Sequence, residues 1–464
     1  MTNLETVLSR VDANADDGVE RLFELLRIPS ISTDPAYKGD CETAAEWLRG
    51  ALQEIGFEAS VIPTTGMPMV VAHHTPSQLG NEVPHVLFYG HYDVQPADPL
   101  ELWDRPPFEP AVVKGDDGVE RIYARGACDD KGQLMTFLEA SRAWVEEIGH
   151  LPVKVTVLIE GEEESGSPSL DAFLDEYKDE LSRDMALICD TGMWDADTPA
   201  ISTRLRGIMH DEVFITGPSR DLHSGMYGGA ARNPIRVLTN ILGKLHDEDG
   251  RVTIPGFYYG VEDISDELRE QWGALNFSKE DFLGDVGLSE LAGEKGYSAL
   301  EQIWARPTCD INGIVGGYIG DGTKTVIPSQ ASAKLSFRLV PGQDPEAIRT
   351  AFREMIVEQL PLDCNADFQG ERPGTPLEVP QDDPYLQKAA HALQDEFGKP
   401  AVMMGCGGSI PIATSFKEEL SMNSLLIGFG LDDDQIHSPN EKYNLSSFKR
   451  GSRSWVRVLE AIAK

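Results

Sequence analysis

The first 200 residues alternate between segments with helical spacing of apolar residues and short apolar segments of strand length. Residues 43–55 and 131–146 carry apolar side chains at helical spacing, whereas 85–89, 153–159 and 185–189 have the composition of buried strands. Strand–helix–strand alternation favours a mostly parallel sheet that is covered by helices. The pattern therefore predicts an α/β fold.

A different pattern begins near residue 200. Segments 209–216 and 331–340 are strand-like, and 234–245 has helical spacing. In 331–340 the apolar side chains alternate with polar ones, which is typical of a strand with one buried and one polar face. A Pro- and Gly-rich stretch at 371–376 ends this region. We predict that 200–378 form an inserted α/β domain.

The chain then returns to the first pattern. A helix is predicted at 384–397, an apolar strand at 424–429 and a final helix at 445–462. Residues 1–199 and 379–464 are therefore predicted to form one domain, in which helices flank a central sheet.

Charge and composition exclude several classes of function. The chain has 40 Lys and Arg against 77 Asp and Glu, a net charge of -37 that repels nucleic acid and anionic membranes. No apolar run approaches the roughly 18 residues of a membrane span, and the N-terminus lacks a signal-peptide pattern. The six cysteines have neither metal nor redox spacing, as expected of free thiols. We expect a cytoplasmic protein with no nucleic-acid or membrane partner.

Histidine and carboxylate side chains recur in five short motifs. Three of these motifs follow a predicted strand, which is where an α/β sheet presents ligands. Histidine nitrogen and carboxylate oxygen, without thiolate, are typical of a catalytic rather than a structural zinc site. The motifs are Gly-His-Tyr-Asp-Val at 90–94, Cys-Asp-Asp-Lys-Gly at 128–132, Glu-Glu-Glu-Ser-Gly at 162–166, Cys-Asp-Thr-Gly at 189–192 and His-Ser-Pro-Asn-Glu at 437–441.

The first two motifs each allow a metal-binding and a structural interpretation. His91 and Asp93 are two residues apart, so they share a face, and one could bind a metal while the other fixes the imidazole. A strand-end histidine with a capping aspartate is the alternative. One carboxylate of Asp129 and Asp130 could bridge two cations, although aspartates are also common helix N-caps.

The other three motifs are also open to more than one interpretation. Glutamates 162–164 follow a buried strand, where they must be paired or metal-bound, although acidic runs are usually solvated. A metal hydrolase needs one carboxylate that ligates and one that takes a proton, but the spacing does not assign these roles. Asp190 and His437 are weak evidence when taken singly, because a lone histidine is more often structural than a ligand.

As a set, the motifs resemble the co-catalytic zinc peptidase family. This family includes carnosinase-type and bacterial dipeptidases, glutamate carboxypeptidases, aminoacylases, acetylornithine deacetylase and succinyl-diaminopimelate desuccinylase. The resemblance runs from Arg27-Ile-Pro-Ser-Ile-Ser32 to the motif at 437–441. It implies a zinc-peptidase catalytic domain with an inserted lid domain that forms a homodimer.

The resemblance also implies a role for each motif residue. Glu163 would be the general base, and Asp93 would orient its neighbouring ligand. A metal-bridging water would attack the scissile carbonyl while Glu163 takes its proton. The implied ligands of two Zn²⁺ ions, or of Mn²⁺ or Co²⁺, are Asp129 as the bridge with Asp130 behind it, His91 with Asp190 on one metal, and Glu164 with His437 on the other.

Three further features of the family match residues 200–411. Arg220-Asp-Leu-His-Ser-Gly-Met-Tyr-Gly-Gly229 resembles the lid motif whose histidine, here His223, stabilises the oxyanion in the partner's site. Arg338 matches an arginine that binds the substrate carboxylate. Ser409 and Gly408 match a substrate-binding loop. The family's dipeptidases commonly have Arg-Glu before this loop, whereas this chain has Gly405-Cys406.

The sequence therefore predicts a di-zinc dipeptidase or small-peptide exopeptidase. Gly-His-Tyr-Asp-Val-Gln-Pro and the lid motif look most like the carnosinase-type dipeptidases. An N-acyl amino acid deacylase is the alternative, because it also cleaves an amide next to a free carboxylate. A non-catalytic relative would lack a ligand or the base, and this chain lacks neither.

Overall fold

The computed structural model describes residues 3–80, 82–408 and 410–464. It divides into two compact units. The first unit contains the chain up to Thr203 together with 379–404 and 415–464, and the second contains 204–378 and 405–414. None of the helices in the described ranges combines the length and apolar character that a membrane span needs.

The strands, in chain order, are β1 (Glu58–Ile62), β2 (Met69–His74), β3 (His85–His91), β4 (Ala111–Lys114), β5 (Glu120–Tyr123), β6 (Lys154–Glu160), β7 (Met185–Ile188), β8 (Ala200–Leu205), β9 (Gly207–Thr216), β10 (Leu222–His223), β11 (Thr308–Gly316), β12 (Val326–Ile327), β13 (Gln330–Leu339), β14 (Asn365–Gln369), β15 (Leu377–Glu378), β16 (Val402–Cys406), β17 (Ser424–Leu426) and β18 (Lys442–Asn444).

The helices are α1 (Asn3–Ala13), α2 (Ala15–Leu26), α3 (Lys38–Ile55), α4 (Lys131–Ile148), α5 (Leu170–Glu176), α6 (Lys178–Leu181), α7 (Ser224–Tyr227), α8 (Pro234–Leu242), α9 (Asp266–Gly273), α10 (Lys279–Gly284), α11 (Ala299–Trp304), α12 (Pro345–Glu358), α13 (Pro384–Phe397), α14 (Pro411–Leu420) and α15 (Leu445–Ala463). Single 3₁₀ turns lie at Pro35–Tyr37, Leu100–Leu102 and Glu163–Ser165.

The first unit is built on a sheet with the strand order β1-β2-β6-β3-β7-β17-β8. The four central strands β6, β3, β7 and β17 are parallel, whereas the pairs outside them are antiparallel. The predicted α/β class is confirmed, and the sheet is a mixed one with a parallel centre. Because the carboxyl ends of parallel strands meet at one edge, the residues after β3, β6 and β7 lie together.

Helix α4 is the central helix of the first unit, where it packs against α1 and α15. Nearly all of its side chains from Lys131 to Trp144 are buried. Phe137 stacks on Phe88 of β3 with ring centroids 3.7 Å apart, and Trp455 of α15 meets both rings edge-on. This packing fixes the start of α4, where the motif at 128–132 lies, against the central sheet.

The second unit contains an antiparallel sheet with the order β11-β13-β9-β14. Every second side chain of β13 (Ala331, Ala333, Leu335, Phe337 and Leu339) is buried in a core with residues of α8 and α12. The alternate residues Lys334, Ser336 and Arg338 are on the opposite, polar face of the sheet, as the alternation of residue types predicts.

Candidate metal centre

The edge of the central sheet brings three of the five motifs together at the ends of three parallel strands, and the other two reach the same place from a helix start and a loop. His91 is the last residue of β3 and pairs with Glu160, the last residue of β6. Glu163 and Glu164 form a 3₁₀ turn just beyond β6, and Asp190 follows β7 by two residues. The motif at 128–132 opens α4. The fifth motif arrives from the loop after β17, where His437 adopts a φ of 61°.

Two groups of potential metal ligands share the carboxylate of Asp129. One group is His91, Asp129 and Asp190, and the other is Asp129, Glu164 and His437, with all ligand atoms of a group within 4.8 Å of one another. His91 Nε2 lies 3.1 Å from Asp129 Oδ1, and His437 Nε2 lies 2.9 Å from Asp129 Oδ2. The two oxygens of one carboxylate therefore face two separate histidines, which is the arrangement that a bridging ligand requires.

The outer members of the two groups complete this geometry. His91 Nε2 is 3.8 Å from Asp190 Oδ2, and His437 Nε2 is 3.2 Å from Glu164 Oε2. The pairing of His91 with Asp190 and of His437 with Glu164 is the one that the family resemblance implies.

Asp93 is fully buried and orients both sides of this cluster. His91 Nδ1 lies 3.1 Å from the Asp93 backbone oxygen and 3.4 Å from its Oδ1, which leaves Nε2 directed to Asp129. The Asp93 carboxylate also accepts hydrogen bonds from the backbone amides of Glu163, at 3.2 Å, and Glu164, at 3.0 Å. One side chain thus positions a histidine and the glutamate turn together.

Asp130 points away from the two ligand groups. It follows Asp129 through a cis peptide bond, and its Oδ2 accepts a hydrogen bond of 3.1 Å from the backbone amide of His91. The Cys189 thiol donates to the same oxygen at 3.3 Å. Burial raises the pKa of the Asp130 carboxyl to about 7. Asp130 therefore holds the backbone of His91 in place through this hydrogen bond.

Glu163 belongs to neither ligand group, but it is close enough for the charges of His91, Glu164 and Asp129 to act on its carboxyl. Burial raises the pKa of its carboxyl; the positive charge of His91 opposes this rise, and the carboxylates of Glu164 and Asp129 add to it. Its neighbour Glu164 accepts a hydrogen bond of 2.8 Å from the Gln95 side chain. A carboxyl with a raised pKa, beside the ligands but not among them, suits proton transfer.

The electrostatics of the cluster favour a bound cation. Burial and the charges of Asp129 and Asp130 raise the pKa of Asp190 well above its usual range. Hydrogen bonds to Asp129 and Glu164 raise the pKa of His437 to about 10. In Asp129, burial acts to raise the pKa, but the contacts with His437 and His91 hold it well below its usual range. Carboxylates held this closely with imidazoles form a donor set that suits zinc, manganese or cobalt.

Glu441 is a structural partner of the site that the sequence did not reveal. Its buried carboxylate accepts four hydrogen bonds from the segment that leads into Asp129. The donors are Arg125 Nη1 at 2.8 Å and the backbone amides of Gly126 at 2.9 Å, Cys128 at 2.9 Å and Asp129 at 3.1 Å. The position of Glu441 at the end of the motif at 437–441 was the available signal.

The remaining predicted site residues lie in the second unit. His223 ends β10 and is exposed, and its Nδ1 accepts a hydrogen bond of 3.0 Å from the Gly225 amide. This contact assigns the ring proton to Nε2, which becomes a donor. Arg338 lies on the polar face of β13, opposite Thr308 and Ile208. Gly408 follows β16, and Ser409 lies outside the described residues.

Comparison with known proteins agrees with this geometry. A model of peptidase family M20/M25/M40 matches residues 87–461. A Cys-Gly metallodipeptidase of Candida albicans is 31% identical over 458 residues, which cover 94% of this chain and 92% of that protein. A Beta-Ala-His dipeptidase of Homo sapiens is 28% identical over 491 residues, covering 99% of this chain and 93% of that protein.

A solved structure shares the fold along the whole chain. The di-peptidase Dug1p from Saccharomyces cerevisiae superposes with a TM-score of 0.77 at 27% identity, covering 100% of this chain and 99% of its own. The family resemblance that the five motifs predicted is confirmed, and the chain belongs to peptidase family M20/M25/M40.

Proposed function

We propose that this protein is a metal-dependent dipeptidase. It hydrolyses the amide bond of dipeptides or small peptides that have a free C-terminal carboxylate. The observation that carries this proposal is the pair of ligand groups that share Asp129, with Glu163 beside them. The relatives that are metallodipeptidases by name support the choice of substrate.

These groups would bind two metal ions, in our proposal Zn²⁺ with Mn²⁺ or Co²⁺ as alternatives. His91 and Asp190 would hold one ion, Glu164 and His437 would hold the other, and Asp129 would contribute to both sites. When bound, the ions supply Lewis acidity that polarises the scissile carbonyl and lowers the pKa of water. Glu163 takes the proton from the attacking water and delivers it to the leaving amine. Asp93 holds His91 and the backbone of the turn at Glu163 and Glu164 in fixed positions relative to each other.

The second unit contributes substrate contacts in this proposal. His223, with its proton on Nε2, stabilises the oxyanion, and Arg338 binds the substrate carboxylate. Gly408 and Ser409 contact the substrate through their loop. Residues 200–378 act as a lid and dimerisation domain, and 1–199 with 379–464 act as the catalytic domain. The homodimer and the cytoplasmic location remain predictions from the sequence.

A substrate panel tests the proposal against the N-acyl amino acid deacylase alternative. Metal-stripped protein is supplied with Zn²⁺ or Mn²⁺ and assayed with free dipeptides and with N-acetyl amino acids. Metal-dependent cleavage of the dipeptides alone supports the dipeptidase. Cleavage of the acetylated set alone replaces it with the deacylase. Cleavage of neither set contradicts both assignments.

A further inference from the structure

A cavity of about 720 Å³ in the second unit is lined by two arginines, Arg206 and Arg338. Arg338 of β13 pairs with Ile208 of β9, and Arg206 precedes Ile208 by two residues. Arg206 lies between β8 and β9, and the charge of Arg338 is close enough to act on its guanidinium, so the two arginines are neighbours at the cavity.

The lining of this cavity combines arginine and carboxylate side chains. Arg306, which also lines the cavity, is paired with Glu294, with Nε and Oε2 2.6 Å apart. Asp310 is the other lining carboxylate, and its Oδ2 accepts a hydrogen bond of 3.2 Å from the Thr308 hydroxyl. The cavity lining thus carries three guanidinium groups and two carboxylates, one of which is already paired with Arg306.

Arg206 is a half-buried cation with a neutral hydrogen-bond partner. Its Nε donates to the backbone oxygen of Gly407 at 2.8 Å, and among the described residues no carboxylate lies within ion-pair distance of its guanidinium. Burial and the adjacent charge of Arg338 lower the pKa of Arg206 to about 10. A cation in this setting gains stability when an anion enters the cavity.

We infer that Arg206 is a second carboxylate-binding residue, and that the free C-terminal carboxylate of the substrate binds between Arg206 and Arg338. This inference rests on the proposed dipeptidase function, in which Arg338 holds that carboxylate. Arg206 also connects the carboxylate to the substrate-binding loop through its hydrogen bond to Gly407.

The departure of this chain from the family's Arg-Glu pair is consistent with this role. A side chain at Gly405 has no room, because its Cβ would lie 2.4 Å from Trp304 Cβ and 2.8 Å from Trp304 Cγ. At Gly407 a Cβ would lie 2.9 Å from Ile303 Cγ2 and 3.4 Å from Arg206 Nη2. Trp304 of α11 therefore occupies the space that a charged side chain at position 405 would need. Arg206 instead places a cation next to this segment through its hydrogen bond to Gly407.

A comparison of a free acid with its amide tests the inference. The metal-loaded wild type and Arg206→Gln, Arg206→Lys and Arg236→Gln variants are assayed with Ala-Ala and Ala-Ala-amide. Arg236 is an exposed arginine of α8 in the same unit and serves as the matched control. Thermal unfolding and metal content verify that each variant is folded and loaded.

We expect Arg206→Gln to raise KM for Ala-Ala by about tenfold to a hundredfold, the loss typical of a charge-assisted hydrogen bond. The preference for the acid over the amide should shrink by the same factor, and Arg206→Lys should restore most of it. Equal losses for the acid and the amide, or an unchanged preference, would show that Arg206 only anchors the loop. A wild type that cleaves no dipeptide would instead contradict the proposed function, and the inference with it.

Discussion

The carboxylate of Glu441 holds the backbone amide of Asp129 at 3.1 Å, across 312 residues of chain. Four residues before Glu441, the Nε2 of His437 lies 2.9 Å from the Asp129 carboxylate. One segment therefore fixes the backbone of Asp129 and also faces its side chain. The relative position of the two motifs depends on this double contact.

Replacing Glu441 with Gln should weaken metal binding. The glutamine NH₂ would face donors, Arg125 Nη1 and the Gly126 amide, where the carboxylate now accepts hydrogen bonds. We expect the metal Kd to rise about tenfold to a hundredfold, as is typical when a residue that supports a ligand is changed. Competition with a chromophoric chelator measures this Kd, and excess metal should restore turnover. An unchanged Kd would contradict the positioning role, and Glu460→Gln on the surface of α15 is the matched control.

Glu163→Gln separates proton transfer from metal binding. The amide cannot accept the proton of water, so kcat should fall by about 10²- to 10⁴-fold, the typical contribution of a general base. Because Glu163 belongs to neither ligand group, the metal content should stay at the wild-type level. Steady-state kinetics with metal analysis of the same sample check both points.

Glu162→Gln provides the control for the neighbouring glutamate. Glu162 is buried and comes directly before the 3₁₀ turn. We expect its replacement to change kcat by less than about tenfold, since it has no role in proton transfer. If Glu162→Gln abolished turnover while Glu163→Gln did not, the base would be the other glutamate.

Metal binding should strengthen as pH rises. Hydrogen bonds to Asp129 and Glu164 raise the pKa of His437 to about 10 in the metal-free protein, so a metal must displace its proton near neutral pH. We expect the apparent affinity to increase by up to about tenfold per pH unit between roughly pH 7 and 9. Chelator competition at these pH values measures it, and an affinity independent of pH would contradict a protonated His437.

The same protonation contributes to the stability of the metal-free protein. The folded pKa of His437 lies above the unfolded value of about 6.5, so this contribution is complete below roughly pH 6.5. It is lost as the pH rises through about 10. The His437→Gln variant should show less of this loss in thermal unfolding between about pH 7 and 10.

Gly405→Ala tests the packing of α11 against β16. A Cβ at this position lies 2.4 Å from Trp304 Cβ, so the backbone or the tryptophan must move. We expect the free energy of unfolding to decrease by about 1–3 kcal/mol, the usual cost of overpacking. Gly273→Ala at the end of α9, where no atom lies within 4 Å of an added Cβ, is the control and should not be destabilised. Equal unfolding midpoints in denaturant for both variants would contradict the close packing.

Many of the helices and strands could be predicted from the local pattern of apolar, capping and turn residues. The helix predicted at 384–397 has these bounds in the structure, because Asp383 caps its first turn, Pro384 starts it and Gly398 ends it with a φ of 71°. The apolar run predicted as a strand at 424–429 ends at Leu426 instead, since apolar composition does not report where pairing stops. The antiparallel pairing of β2 with β6 was also not predictable, because the paired residues, from Val70 with Ile159 to His74 with Val155, are far apart in the sequence.

The candidate ligand residues were easier to predict than the contacts that orient them. His91 ends a strand, Glu164 and Asp190 follow strands, Asp129 precedes a helix and His437 lies in a loop; all five are recognisable ligand types, and the structure brings their ligand atoms together in two groups. The contacts that orient them were not predictable from spacing. They include Gln95 on Glu164 and Glu441 on the Asp129 amide, which join segments that are distant in the sequence.

The most direct test of the account is a count of bound metal in the wild type and in Asp129→Ala. Both proteins are stripped, reloaded with Zn²⁺, passed through a desalting column and analysed by mass spectrometry of the metal. Because one carboxylate joins both ligand groups, we predict about two ions per chain in the wild type and less than about half an ion in the variant. An Asp129→Ala protein that is folded and still holds about two ions would contradict the shared two-metal centre.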